Sequence, residues 1–68
     1  MTEKRWRGTP PERCDLCHRL LTWAFVDGKT QFGIWGIMCP ECHIDVGVGL
    51  GVGRGQRYEL PSLRKVDG

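Results

Sequence analysis

Four cysteines, arranged as two pairs with two residues between the members of each pair, carry the clearest chemistry in this sequence. Cys14 and Cys17 form the first pair, and Cys39 and Cys42 form the second after 21 intervening residues. Two such C-x-x-C pairs separated by a hairpin's length of chain are typical of a tetrahedral zinc site. The spacing predicts one structural Zn²⁺ bound by all four thiolates, while disulfides, free thiols and covalent haem remain alternatives.

Covalent haem has to be considered because His18 and His43 make both pairs C-x-x-C-H, the attachment signature of c-type cytochromes. The chain is too short to enclose two haems, has no export signal and offers only Met38 as an internal axial methionine. We instead predict that the basic neighbours of the cysteines compensate the negative charge of a zinc ion with four thiolates. These neighbours are Arg13, His18, Arg19 and His43.

The sequence favours a protein without catalytic activity and without a small-molecule substrate. A zinc ion with four thiolates has no open position for water or substrate, so metal-assisted hydrolysis is disfavoured. No Ser/His/Asp set or carboxylate pair is evident. The glycines of residues 47–55 recur every two positions, which does not fit the dinucleotide-binding pattern, and no glycine lies five residues before Gly28-Lys29-Thr30 to make a Walker motif.

The length of 68 residues indicates a single domain whose stability depends on the metal. A hydrophobic core of this size supplies little net stability. A structural zinc ion contributes an apparent value of about 10 to 16 kcal/mol in finger-like peptides. We therefore expect the metal-free chain to be largely unfolded.

The net charge of +2 is unevenly distributed. Residues 1–19 carry five basic and three acidic side chains, residues 20–53 carry one and three, and residues 54–68 carry four and two. The basic ends permit contact with an anionic partner. No signal-peptide pattern and no run of about 18 apolar residues is present, so we predict a soluble, cytoplasmic protein that does not contact a membrane.

Alternation of apolar residues between Leu20 and Val26 predicts a strand, and Asp27-Gly28 predicts a two-residue hairpin turn after it. The resulting register places three pairs opposite each other: Leu21 with Ile34, Trp23 with Phe32, and Phe25 with Thr30. Gly33 and Gly36 suggest a bulge or a close backbone approach in the second strand. Trp35 would then pack beneath the helix or the tail.

A short helix is predicted over residues 40–46, because Pro40 suits its first position and Gly47 can end it. The fold class is then a small metal-stabilised α+β protein with a zinc knuckle, a β-hairpin, and a second knuckle at the start of the helix. This is the treble-clef arrangement, and a zinc ribbon is the alternative if the helix is absent.

The rest of the chain divides into a flexible N-terminal arm (1–12), a zinc-binding domain (13–58) and a C-terminal tail (59–68). We expect Trp6 to fold back over the small core. The sequence after Gly55 is predicted to be irregular, with Tyr58 docking back. In residues 47–55, alternation would place Val48, Leu50 and Val52 on one face that covers the hairpin.

Two binding functions are compatible with this organisation. Nucleic-acid binding is favoured by Arg54, Arg57 and Tyr58, since glycines allow close approach to a phosphate backbone and the tyrosine could stack on a base. These arginines could equally be solvated surface residues beside a chain that folds back on the core. The alternative function is a protein-interaction module in which Trp6 and Trp35 are exposed anchors.

Several segments of the sequence also resemble small cysteine-rich proteins of bacteriophages and prophages. They are residues 25–30 (FVDGKT), Gly33-Ile-Trp35, Met38-Cys39, Cys42-His43, Gly49-Leu-Gly51, and residues 53–58 (GRGQRY). The resemblance implies a zinc-finger-like fold and the cytoplasm of a bacterium or a phage-infected host cell. It implies no activity, but it allows a host or phage protein as the partner.

Overall fold

A four-stranded antiparallel sheet and one short helix form the regular structure of residues 5–68, the part of the chain that this computed structural model describes. In chain order the elements are β1 (Ala24–Lys29), β2 (Trp35–Met38), α1 (Pro40–Val46), β3 (Gly55–Glu59) and β4 (Lys65–Asp67). The strand order β2-β1-β3-β4 places β1 between β2 and β3. Within the described part, no helix has the length and apolar character needed to cross a bilayer. The small α+β class is confirmed.

The helix α1 covers the residues that the sequence predicted. Pro40 occupies its first turn and Cys39 is the N-cap, where the missing N–H of proline costs no hydrogen bond. Gly47 ends the helix, and its N–H donates to the carbonyl of His43 at 2.9 Å. A Cβ at position 47 would collide with the His43 ring, so glycine is needed here for space.

The turn between β1 and β2 lies further along the chain than predicted. Thr30 N–H and Thr30 Oγ1 both donate to the carbonyl of Ile34, at 2.8 and 3.0 Å, and Oγ1 accepts from Phe32 N–H at 3.3 Å. The turn therefore spans residues 30–34, and Asp27-Gly28 belongs to β1. The predicted two-residue turn and its register are wrong, since Lys29 lies opposite Trp35.

The reason is that Gly28 lies where strand β3 approaches β1 closely. It lies opposite Gly36 on β2 and opposite Gly55 on β3. A Cβ at Gly28 would lie 2.9 Å from the carbonyl oxygen of Arg54 and 3.1 Å from the Cα of Gly55. The glycine thus permits the close approach of β3, which is distant in sequence and gives no local signal.

The large side chains of the hairpin are more exposed than the sequence predicted. Trp23 is 61% exposed, and Phe32 and Ile34 are also exposed. Trp35 does not pack beneath the helix or the tail, because its side chain is 50% exposed and its Nε1–H donates to Asp27 Oδ1 at 2.7 Å. These differences accompany the shifted register. Of the apolar residues predicted to share one face of the hairpin, only Phe25 is buried in the core.

The aromatic part of the core consists of Trp6, Phe25 and Tyr58. Phe25 and Tyr58 lie opposite each other on β1 and β3 and stack with ring centroids 5.3 Å apart. Trp6 packs edge-on against both rings, at 5.3 and 5.5 Å. Its backbone N–H donates to the carbonyl of Leu63 at 2.8 Å. The prediction that Trp6 folds back over the core is confirmed.

The chain after Gly55 is not irregular as predicted, because it supplies strands β3 and β4. Strand β3 pairs with the second edge of β1 over five positions. Pro61 lies in the connection between the two strands, where it interrupts neither ladder. The division of the chain into arm, domain and tail stays a prediction.

The glycine-rich segment, residues 47–55, is a folded-back loop. Gly49, Gly51 and Gly53 have positive φ angles of 100°, 125° and 77°. Such angles break the alternation of a strand, and Val52 is consequently 97% exposed at the tip of the loop. The prediction that three aliphatic side chains of this segment share one covering face is wrong at Val52.

Candidate metal centre

The first cysteine pair lies in a turn closed by backbone hydrogen bonds. Cys14 N–H donates to the carbonyl of Arg19 and His18 N–H donates to the carbonyl of Cys14, both at 3.0 Å. The Sγ of Cys14 accepts from the backbone N–H groups of Leu16 and Cys17 at 3.4 and 3.5 Å. The turn requires a positive φ of 63° at His18. It thereby aims both sulfurs in one direction.

Asp15 fastens this turn to strand β2. Its backbone N–H donates to the carbonyl of Ile37 at 2.8 Å, and its Oδ2 accepts from Ile37 N–H at 2.9 Å. A Cβ at Gly36 would lie 3.1 Å from the same carboxylate, so the close approach at this glycine is made by a side chain, and no atom approaches the Cβ position of Gly33 within 4 Å. Because Cys39 follows Ile37 by two residues, this link brings the two cysteine pairs together. The role of Asp15 was not predicted from the sequence. The available signal was its short carboxylate side chain, which can accept hydrogen bonds from backbone N–H groups.

The second cysteine pair is positioned by the start of helix α1. Cys39 is the N-cap, and its Sγ accepts from the backbone N–H of Cys42 at 3.4 Å. Cys42 lies in the first turn, so its side chain returns toward that of Cys39. In both pairs the sulfur of the first cysteine therefore accepts N–H groups from the residues that follow, although one pair is in a turn and the other caps a helix.

The four sulfur atoms lie within 4.8 Å of one another. Cys17 Sγ and Cys39 Sγ are 3.7 Å apart, whereas the corners of a tetrahedron with metal–sulfur bonds of about 2.3 Å are about 3.8 Å apart. The four cysteines are free thiols and not disulfides. The cluster is suited to one metal ion.

Burial and hydrogen bonding set different pKa values within the cluster. Burial alone would raise the pKa of Cys14, but hydrogen bonds from backbone N–H groups of Cys17, Cys39 and Leu16 and from the Cys42 side chain lower it to about 6. Burial raises the pKa of Cys39, and burial together with the neighbouring sulfurs raises that of Cys42. At neutral pH, Cys14 therefore offers a thiolate, while Cys39 and Cys42 have to release protons to bind a metal ion.

Three of the four basic residues predicted around the cysteines have separate backbone or ionic partners. Arg13 donates to the carbonyl of His18 at 3.0 Å, and the exposed Arg19 forms an ion pair with Glu41 at 3.1 Å. The half-buried His43 donates from Nε2 to the carbonyl of Gly49 at 3.1 Å. His43 thus connects the helix to the glycine-rich segment. The role of these residues in compensating the charge of a metal centre stays a prediction.

The three residues predicted to bind nucleic acid are placed in different surroundings. Tyr58 is buried, and its hydroxyl donates to Gln56 Oε1 at 3.1 Å. Arg57 forms an ion pair with Asp67 at 3.1 Å. Arg54 is exposed and, among the ion pairs of residues 5–68, takes part in none. Of the three, Arg54 is the residue whose side chain is available to a partner.

Compared with protein-family models, curated proteins and solved structures, the chain shows no match to any of them. The resemblance to small phage proteins therefore stays a hypothesis. The functional argument depends on the geometry of the cysteine cluster and of the surface around it.

Proposed function

We propose that this protein is a non-catalytic module in which one structural Zn²⁺ holds a surface that binds nucleic acid. The observation that supports the metal is the convergence of four sulfurs within 4.8 Å. Zinc is favoured over other ions because four thiolates in a tetrahedral arrangement are its usual structural ligand set. With all four positions taken by sulfur, no position is left for a substrate.

The arrangement around the proposed zinc ion is treble-clef-like. One ligand pair lies in a turn before the β1–β2 hairpin, and the other lies at the start of α1 directly after it. The presence of the helix favours this class over a zinc ribbon. We include a cytoplasmic location, in a bacterium or a phage-infected host cell, in the proposal.

The proposed contact with nucleic acid is supported by Arg54. Its guanidinium lies against the glycine-rich segment, with NH2 3.2 Å from the position that a Cβ would take at Gly51 and NH1 3.8 Å from that at Gly49. Without side chains at these glycines, an anion can approach both the guanidinium and the backbone. Because Arg54 has no acidic partner among the described residues, contact with a phosphate would not require an ion pair to be broken.

The test is binding of short DNA and RNA by the zinc-loaded chain over a series of salt concentrations. Arg54→Gln should weaken binding and reduce the slope of log K against log salt by roughly 0.7 to 0.9, the value of one phosphate contact. Arg19→Gln is the matched control, because this arginine is also exposed but already pairs with Glu41. Binding that is undetectable at low salt, or that Arg54→Gln leaves unchanged, would refute the proposal.

A protein-interaction module is the second candidate, and the exposed apolar side chains favour it. Ile44 on the helix, Val52 at the tip of the glycine-rich segment and Trp23 are all more than half exposed. Exposed apolar residues of this size are typical of docking surfaces for proteins, which in this case would be a host or phage protein. If the nucleic-acid tests are negative, substitution of Trp23 and Ile44 followed by assays with candidate partners would test this second function.

A further inference from the structure

We propose that one end of the sheet binds a single strand of nucleic acid, with Trp35 stacking on a base while Lys29 and Arg54 contact phosphates. Resting on the proposed function, this inference adds the form of nucleic acid and two further contact residues. The three residues, called here the strand-end site, come from β2, β1 and the turn before β3.

Trp35 presents an aromatic ring whose orientation is fixed. Its Nε1–H donates to Asp27 Oδ1 at 2.7 Å, which anchors one edge of the indole, while half of the side chain remains exposed. An anchored ring loses little conformational entropy when a base stacks on it. Stacking on aromatic side chains is the main attractive contact of proteins that bind single strands. Trp35 therefore has the geometry of a stacking residue.

Lys29 places positive charge beside this ring, and Arg54 places a second positive charge at the same end of the sheet. Lys29 lies directly opposite Trp35 in the ladder of β1 and β2, so the two side chains project from the same face of the sheet. On the other side of Lys29, its backbone N–H donates to the carbonyl of Arg54 at 2.8 Å. Both cations are exposed and take part in no ion pair of the described residues. The Asp27 carboxylate nearby offsets one positive charge and leaves the second.

The dimensions of the strand-end site fit a short piece of nucleic acid. Two strand spacings separate the backbone of Trp35 from that of Arg54, which is about 10 Å. A stacked strand of DNA rises about 3.4 Å per nucleotide and an unstacked strand extends further, so this width spans about three nucleotides at most. The ring needs an unstacked base, and a duplex does not offer one without distortion. The strand-end site therefore fits a single strand better than a duplex.

The charge also decides between nucleic acid and an apolar protein surface as the occupant. An apolar partner would have to desolvate the charged groups of Lys29 and Asp27 beside Trp35, and this is costly. A phosphate backbone gains from Lys29 and Arg54 because it releases counterions when they bind.

The experiment measures fluorescence anisotropy of a labelled 12-nucleotide strand, as DNA and as RNA, and of the corresponding duplex, with the full zinc-loaded chain. Trp35→Leu should weaken binding of the single strand about tenfold or more, the effect of losing one base stack. Its salt dependence should not change, because no charge is removed. Trp23→Leu is the matched control, since this tryptophan is as exposed but lies at the opposite end of the sheet, beside Leu60. It should change binding by less than about twofold.

Lys29→Gln should weaken binding and reduce the salt slope, as Arg54→Gln does. Metal content and circular dichroism establish that each variant is folded. A duplex bound as tightly as the single strand, or equal effects of Trp35→Leu and Trp23→Leu, would overturn the strand-end site. If Arg54→Gln still weakened binding in that case, the proposed function would stand without it.

Absence of all binding at low salt would overturn both proposals. Sedimentation of the free protein provides a last distinction. If the chain self-associates and Trp35→Leu abolishes this association without affecting nucleic-acid binding, Trp35 belongs to an interface between copies, and the strand-end site is refuted.

Discussion

Removal of the metal is the change that should affect this protein most. Of the seven buried hydrophobic residues in positions 5–68, two are the cysteines Cys14 and Cys39, and only Phe25, Val26, Met38 and Tyr58 are larger than alanine or cysteine. Small proteins are stable by about 5 to 15 kcal/mol in total. A structural zinc ion contributes about 10 to 16 kcal/mol in comparable peptides. Loss of the ion should therefore remove most or all of the stability, and we expect the metal-free chain to unfold at 25 °C.

The experiment treats the zinc-loaded chain with excess chelator in the presence of a reductant, which prevents disulfide formation. Mass spectrometry of the native protein gives the number of ions per chain, expected to be one. Near-ultraviolet circular dichroism and the dispersion of amide resonances report the packing of the aromatic core. Both signals should collapse on chelation and return when zinc is added back.

The reasoning would be refuted by a chain shown to contain no metal that keeps its dispersed amide spectrum. In that case the sheet and the aromatic cluster of Trp6, Phe25 and Tyr58 would be sufficient for folding. The variant Cys42→Ser offers an independent check. It removes one ligand from the start of the helix and should lower both metal affinity and thermal stability, whereas a fold without dependence on metal would tolerate it.

Three further predictions concern single positions. Gly28→Ala should lower the free energy of unfolding of the zinc-loaded chain by about 1 to 3 kcal/mol, because its Cβ would meet the carbonyl of Arg54. Unchanged stability in denaturant would contradict the close approach of β3 to Gly28. His18→Val should lower the free energy of unfolding by about 1 to 2 kcal/mol, measured by thermal denaturation, and His18→Gly should lower it much less, since φ is 63° at this position. Equal effects of the two substitutions would refute backbone strain at His18. Burial and, second, Asp27 raise the pKa of Tyr58 above its usual value of 10.0. The folded state thus holds this proton more tightly, so stability present below pH 10 should fall as the pH rises through the raised pKa. Absorbance titration observes Tyr58 alone, as the chain has one tyrosine, and Asp27→Asn should lower its pKa; titration at the usual value would contradict the burial.

The features that the sequence predicted correctly depend on local signals. Pro40 and Gly47 delimit a helix by effects within one turn of chain, and the structure begins and ends α1 there. The C-x-x-C spacing defines a ligand pair without reference to the rest of the fold, and the four sulfurs converge as expected. The packing of Trp6 on the core was predictable from composition, because a small core needs its aromatic side chains.

The features that were missed depend on residues distant in sequence. Asp27-Gly28 is a strong turn signal by itself, but pairing of β1 with β3 on its second edge overrides it, since Gly28 is required opposite Gly55. Strand β3 was missed because the side chains of Gln56, Arg57 and Glu59 show little apolar pattern. Its strand conformation comes from the ladder with β1 and not from its own propensity.

The link between Asp15 and Ile37 also covers part of the outer edge of the sheet. Strand β2 is at the edge of the sheet, and edge strands with free backbone groups can pair with other chains. Asp15 occupies the outward N–H and carbonyl of Ile37 by acting as a one-residue extension of the sheet. It lies in sequence between Cys14 and Cys17, so a metal ion that holds the cysteines would also hold this cover in place. Release of the first cysteine pair from the ion would thus uncover an edge beside the exposed Trp35 and Ile34 wherever the sheet is still formed.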